Sequence, residues 1–258
     1  MRNVTVAQLY DAVGHWAPWD SAEAWDNVGV LVHGGDEEIS GICCALDITS
    51  DTVQWAAKNG CNLIFSHHPV IFHPMKSLDY KSVPAELLRH GITAVCAHTN
   101  LDKARDGVCE TLANKIGLKN VRPGEDFLYL GEVESPMNVA QLTERVQTSL
   151  QAPVCWVSGE KNIKTVAVVS GAGGDFWEQA QNAGAECLVT GEMRHHEALD
   201  ARQAGMSVIA ATHYGTERWI VPVMASFFHR VFPQVPVFQW DFSQTDNTKD
   251  PMQYRMMK

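Results

Sequence analysis

The chain has 258 residues, 45% of them apolar and 19% charged, with a formal charge of −10. That composition excludes disorder over most of the length and gives room for one large domain or two medium ones. The acidic balance argues against nucleic-acid binding through bulk charge. Seven cysteines, an odd number with no CxxC pair and mostly within apolar runs, predict reduced, buried thiols in a reducing compartment. The N-terminal stretch MRNVTVAQLYDAVGHW lacks the apolar core and small-residue cleavage site of a secretory signal. The longest apolar run, Trp219 to Phe228, is half the ~20 residues that a membrane span needs. The expectation is a soluble, cytoplasmic protein without membrane contact.

In chain order, Val6, Leu9, Tyr10 and Val13 form one helical stripe. Short β-rich runs follow at Val28–Val32 and Ile42–Leu46, then a helix through DTVQWAAKNG that stops at Gly60, a C′ glycine. CNLIFS reads as a strand, VPAELLRHG as a helix and ITAVCA as a strand. The β-α-β-α alternation implies a largely parallel sheet covered by helices. Further on, FLYLGEVE is a strand, NVAQLTERVQTSL a helix capped by Asn138, and KTVAVVS a strand leading into the glycine loop GAGGD. That loop, Ser170–Phe176, reads either as a phosphate cradle or as a tight turn with Asp175 capping the next helix; the turn is preferred. FWEQAQNAG is then a helix, ECLVT a strand, HHEALDARQAG a helix and SVIAA a strand. The last helix runs from about Val221 to Val231, with Pro222 tolerable in its first turn, and the tail from Ser243 to Asp250 is polar.

Two segments suggest an internal duplication. NGCNLIFSHH matches AGAECLVTGE at an offset of 124, and GITAVCAHTNLD matches GMSVIAATHYGTE at 114 to 115. The fold class expected is therefore α/β, with two similar lobes built on mixed, largely parallel sheets. The lobes are placed at residues 1–125 and 126–258, leaving open that the last helix and strand pack back on the first.

Polar clusters sit where the buried strands end, the place where open α/β sheets bind ligands. His67 and His68 close CNLIFS, and Pro69 biases His68 towards extended backbone. His98 with Asp102 follows ITAVCA; His213 with Glu217 follows SVIAA. A spacing of four puts histidine and carboxylate on one face of a helical turn. Four imidazoles and two carboxylates suit zinc, manganese, iron or nickel, and no clustered cysteine offers a thiolate site. So many donors exceed one tetrahedral site and fit two ions about 3.5–4 Å apart. The cluster Thr190–Glu197 stands where His67 and His68 stand in the first half. Its Glu192 and His196, together with His98, are the candidates for moving protons. Glu23–Gly29 is a polar lead-in to a strand, whose Asp26 and Asn27 either reach the site or make the turn.

Five separated segments, EAWDNVGVLV, SHHPVIF, AHTNLD, TGEMRHHEA and THYGTE, resemble the signatures of the Nif-three-like proteins, many of which are called GTP cyclohydrolase I type 2 homologues. The resemblance spans nearly the whole chain in the right order. It implies two α/β lobes with a dinuclear metal site in the cleft between them and a toroidal homohexamer. It implies His67, His68, Asp102, His213 and Glu217 as ligands to two divalent ions, with Glu217 bridging. His68 and Asp102 would complete one ion's set and His67 and His213 the other's, with His98 beside the ions. The family often has glycine before the third-cluster histidine, where Thr212 stands here. The activity implied is metal-dependent hydrolysis of a nucleotide or another phosphate-bearing small molecule. A metal-handling ring without turnover and a ring-shaped scaffold are the rivals.

Overall fold

A computed structural model describes residues 3–159 and 161–241. The expectation for the Ser243–Asp250 tail lies outside the described residues. The fold is α/β with two mixed sheets, in two compact units. The first runs to Arg105 and resumes at Ile220; the second is Asp106–Trp219.

The first unit opens with α1 (Val6–Trp16), started by a capping box in which Thr5 and Gln8 bond each other's backbone amides. Its stripe buries Val6, Leu9 and Val13, while Tyr10 stacks on Trp19. Then come β1 (Gly29–Val32), β2 (Ile42–Ala45), α2 (Ser50–Lys58), β3 (Leu63–Ser66), α3 (Val83–Arg89), β4 (Thr93–Cys96) and α4 (Thr99–Lys103). Every residue of β2, β3 and β4 is buried, as befits parallel strands covered on both faces. Gly60 takes φ +73° just beyond α2, the left-handed turn that the glycine stop predicts.

The second unit holds α5 (Val108–Lys115), β5 (Lys119–Pro123), β6 (Tyr129–Met137), α6 (Val139–Leu150), β7 (Cys155–Val157) and β8 (Ile163–Val168). It continues with α7 (Trp177–Asn182), β9 (Cys187–Thr190), α8 (His195–Gln203), β10 (Ser207–Ala210) and α9 (His213–Glu217). Asn138 caps α6 as expected, and Val139, Leu142, Val146 and Leu150 bury one face. Each such burial contributes about 1.5–3 kcal/mol. The chain then rejoins the first unit through α10 (Ile220–Val231) and β11 (Val237–Trp240), the latter pairing parallel with β2.

The units therefore divide differently from the 125/126 boundary read from the sequence. The reason is α5, whose Cys109, Leu112, Ala113 and Ile116 lie in one core with α6, β6 and β8. Its amphipathic pattern does not say which sheet it covers.

Sheet order is β1-β4-β3-β2-β11 in the first unit and β5-β6-β8-β9-β10-β7 in the second. The two sequence offsets recur in the pairing register. Leu63 stands opposite Thr93 in β3–β4, and Cys187 opposite Ser207 in β9–β10, both pairs parallel and matched at the offsets 124 and 114. Each outer strand, β1 or β7, runs antiparallel to the strand it flanks. Gly34 N–H donates to Thr93 Oγ1 at 3.0 Å, and Gly159 N–H to Ser207 Oγ at 3.0 Å. At the offset of 114, α4 corresponds to α9, so His98 matches Thr212 and the two His-x3-acid clusters are one residue out of phase.

All seven cysteines are free thiols; six are buried and Cys155 is exposed. Among the described residues no helix is long and apolar enough to cross a membrane.

Candidate metal centre

In the first unit the β3 ladder continues one step past Ser66. His67 N–H donates to Ala45 O at 3.3 Å and His68 N–H to Leu46 O at 2.9 Å, so both residues leave the sheet on its last rung. His67 is fully buried; His68 is partly exposed. With His98 at the N-cap of α4 they form a triangle of imidazoles, with ring centroids 4.9, 5.2 and 5.7 Å apart. One nitrogen from each lies within 4.8 Å of the others. Asp102, on the first turns of α4, brings Oδ1 to 3.7 Å from His67 Nε2.

Each of these rings is oriented by an oxygen at Nδ1. His67 Nδ1 meets Ala97 O at 3.2 Å, His68 Nδ1 meets Asp47 Oδ1 at 2.7 Å, and His98 Nδ1 meets Asp26 Oδ1 at 2.8 Å. A carbonyl or carboxylate only accepts, so the neutral ring carries its proton on Nδ1 and presents its lone pair at Nε2. This is how metal-ligating histidines are held. Asp26 is itself built in: its side chain is fully buried and also accepts from Thr99 N at 3.0 Å and Thr99 Oγ1. Burial alone would raise its pKa, but the hydrogen bonds from His98 and Thr99 outweigh it and hold the carboxyl far below its ordinary value.

In the second unit His213 and Glu217 share one face of α9, with Nε2 to Oε2 at 3.1 Å. His213 Nδ1 meets Glu192 Oε1 at 3.0 Å, so the same orientation recurs. Glu217 is buried. A buried carboxylate facing the lone-pair side of an imidazole needs a positive charge there, from a cation or a second proton.

The glycine loop after β8 seats this pair. Gly171 N–H donates to Thr216 Oγ1 at 3.1 Å, and Gly171 O accepts from the amides of Gly191 and Glu192, both at 2.9 Å. A Cβ on Gly171 would lie 2.4 Å from Glu217 Oε1 and 3.2 Å from the His213 ring. Both expectations for the loop need correcting. It cradles no phosphate through these amides, because Thr216 and Thr190 hydroxyls take those of Gly171 and Gly173. Asp175 does not cap α7, since it sits inside a short 3-10 turn, Gly174–Phe176, that leads into the helix.

Thr212, at the N-cap of α9, has φ +61° and ψ 150°, a region that belongs almost wholly to glycine. Its Oγ1 accepts from Gly215 N at 3.0 Å.

Of the three candidates for moving protons, His98 and Glu192 are hydrogen-bonded within these clusters. His196 stands on the exposed face of α8, beside a surface hollow lined by Asp175, Glu178, Arg194 and Asp200. Glu197, not Glu192, is the acidic residue that serves the α8 N-terminus: it accepts from Arg194 N at 2.7 Å and Arg194 Nε at 2.6 Å. Sequence reading missed Asp47. Its signal is position, one residue beyond the apolar run Ile42–Leu46, at a strand end.

Residues 4–251 match the model of the Duf34/NIF3 family (NGG1p interacting factor 3). A Campylobacter jejuni protein called GTP cyclohydrolase 1 type 2 homolog is 30% identical, covering 96% of this chain and 99% of its own. A Helicobacter pylori protein called GTP cyclohydrolase 1 type 2 is 29% identical, covering 96% and 98%. The crystal structure of a hypothetical protein from Staphylococcus aureus superposes with a TM-score of 0.88 at 28% identity, covering 98% of this chain and all of its own.

Proposed function

The chain belongs to the Duf34/NIF3 family, and from that premise we propose that it is a metal-dependent hydrolase holding two divalent ions per chain. The residues that would hold them are His67, His68, Asp102, His213 and Glu217. The observation that carries the reading is that the Nδ1 atoms of His67, His68, His98 and His213 each meet a backbone or carboxylate oxygen, which turns every Nε2 into a donor. Zinc, iron, manganese and nickel all accept such a mixed imidazole and carboxylate set. Bound divalent ions lower the pKa of a coordinated water and polarise the bond to be cleaved.

The chain's own groups supply the proton traffic. His98 takes a proton at Nε2 while its Nδ1–H stays on Asp26, whose buried negative charge stabilises the imidazolium that forms. Glu192 orients His213 and, being half exposed, can pass protons on to water. His196, on the open face of α8, stands as an outer relay. The substrate is a small molecule of the nucleotide or phosphate-ester class, consistent with the names of the C. jejuni and H. pylori relatives. We take the working form to be a cytoplasmic, toroidal homohexamer, with a solution mass about six times 28.5 kDa.

Metal analysis joined to turnover tests this. The purified protein should bind two ions per chain after reconstitution and turn over GTP or a member of a phosphoester panel. Glu217→Ala and His68→Ala should lose metal and turnover together. Fewer than one ion per chain removes the site. Two ions with no turnover on any substrate favours the metal-handling role, which draws on the same donors.

A further inference from the structure

We infer that Trp25 and Phe72 form an aromatic shelf beside His98 that stacks a planar heteroaromatic ring of the substrate. The inference rests on the small-molecule hydrolase reading above and names the chemistry that the substrate must carry.

Both rings belong to the first unit and both are left in solvent, Trp25 at 58% exposure and Phe72 at 40%. They touch one another, with centroids 5.9 Å apart and planes inclined at 47°, so a flat ring lies parallel to one while the other closes its edge. Each also stands edge-on to the His98 imidazole, Trp25 at 6.4 Å and 77°, Phe72 at 6.3 Å and 79°. His73 packs edge-on against Phe72 at 4.8 Å.

Exposed aromatics are common, but here the backbone on either side is fixed. Next to Trp25, the buried Asp26 is bonded to His98 and Thr99. Next to Phe72, the Ile71 carbonyl accepts from Asn27 Nδ2 at 2.5 Å. The segment Trp25-Asp26-Asn27 thus serves two ends at once: Asp26 holds the imidazole, Asn27 holds the loop, and the two rings are set side by side.

Large apolar faces fixed in water at the edge of a donor cluster keep their hydration until something covers them. Both rings stand against the His98 imidazole, so one small molecule can lay a ring on them while its reacting group reaches the imidazoles. A planar heteroaromatic ring covers an exposed aromatic face over a larger area and at closer parallel contact than the small puckered ribose of a sugar phosphate does. The shelf therefore distinguishes a ring-bearing ester or nucleotide from a bare sugar phosphate.

The test compares binding of guanosine 5′-monophosphate and ribose 5-phosphate by calorimetry, using metal-loaded full-length protein, with metal content and solution mass measured on every variant. The nucleotide should bind at least about tenfold more tightly than the sugar phosphate. Trp25→Ala and Phe72→Ala should each weaken nucleotide binding about 5- to 100-fold, the range of single stacking contacts. Trp25→Phe should recover most of the loss. All three variants should keep the wild-type metal content, so that loss of the shelf is separable from loss of the metal centre. Equal affinity for the two probes, no nucleotide binding at millimolar concentration, or unchanged affinity in both alanine variants overturns the shelf while leaving the metal count to judge the hydrolase reading. A fall in solution mass with nucleotide affinity unchanged also overturns it, and assigns the rings to contacts between copies.

Discussion

Gly171→Ala isolates how tightly the second unit's ligand pair is seated. The backbone there is at φ +61°, and an L side chain in that left-handed region costs about 1–2 kcal/mol. At about 2–4 °C per kcal/mol for a chain of this size, the melting temperature should fall by about 2–8 °C. The larger consequence is local. The new Cβ would start 2.4 Å from Glu217 Oε1. Moving the carboxylate out to an ordinary contact near 3.4 Å shifts it by about 1 Å, several times the roughly 0.2 Å tolerance of a metal–ligand bond. We expect metal affinity to drop by at least about tenfold, as when a ligand's support is removed. Gly184→Ala is the control, because Gly184 has φ +86° and no atom within 4 Å of its added Cβ. It should lose similar stability and keep its metal. Calorimetric zinc titration beside thermal melts reads both quantities. If Gly171→Ala binds zinc as tightly as wild type, Glu217 is not a ligand, or the loop does not fix it.

Three further outcomes are expected. At Thr212, glycine relieves strain of about 1–3 kcal/mol but gives up the cap, whereas alanine gives up the cap and keeps the strain; urea unfolding should rank Thr212→Gly above Thr212→Ala by about 1 kcal/mol, and the reverse order would show that the backbone there is unstrained. Asp26→Asn leaves a buried amide that cannot accept from both His98 and Thr99 as a carboxylate does, so it should cost about 1.5–3 kcal/mol by the same assay; a neutral substitution would mean that His98 is held by something else. Glu197 has a lowered pKa, since hydrogen bonds and charge from Arg194 outweigh the raising effect of burial. A depressed carboxylate contributes stability above its unfolded pKa and loses it as pH falls through the folded one. Glu197→Gln should thus cost about 1 kcal/mol at pH 7, discounted because Arg194 is 67% exposed, with the gap to wild type closing as pH drops below the ordinary value of 4.5. A gap that is flat with pH refutes the pairing.

The parts legible in the sequence were those where one periodicity had one explanation. The buried parallel strands β2, β3, β4, β9 and β10 are short apolar runs closed by polar residues, and the structure places each where it was expected. The matching register of β3–β4 and β9–β10 was legible too, because strand register preserves sequence offset. The misses are of another kind. β5 (Lys119–Pro123) and β7 (Cys155–Val157) are sheet-edge strands with mostly exposed residues, so no burial pattern marks them. Helix α5 has an amphipathic face but no local signal of which core it joins. At the site, the histidines stand out by spacing. The groups that aim them do not: Asp26 lies 72 positions from His98, Asp47 lies 21 from His68, and the 171 backbone meets Glu217 only after three segments have converged.

The return of the chain at Ile220 sets an order of synthesis. Among the described residues the second unit is one continuous stretch, Asp106–Trp219, which can begin to condense once it has left the ribosome. The first unit, although translated earlier, must wait for β11 to pair with β2; until Val237–Trp240 emerge, the wholly buried strand β2 is the edge of its sheet, a place that the partly exposed β11 takes afterwards. A chain that has emerged only as far as Val235 would carry the described residues of the second unit together with a first unit whose buried strand β2 is still an adhesive border, which makes β11 a guard against clumping as much as a source of stability.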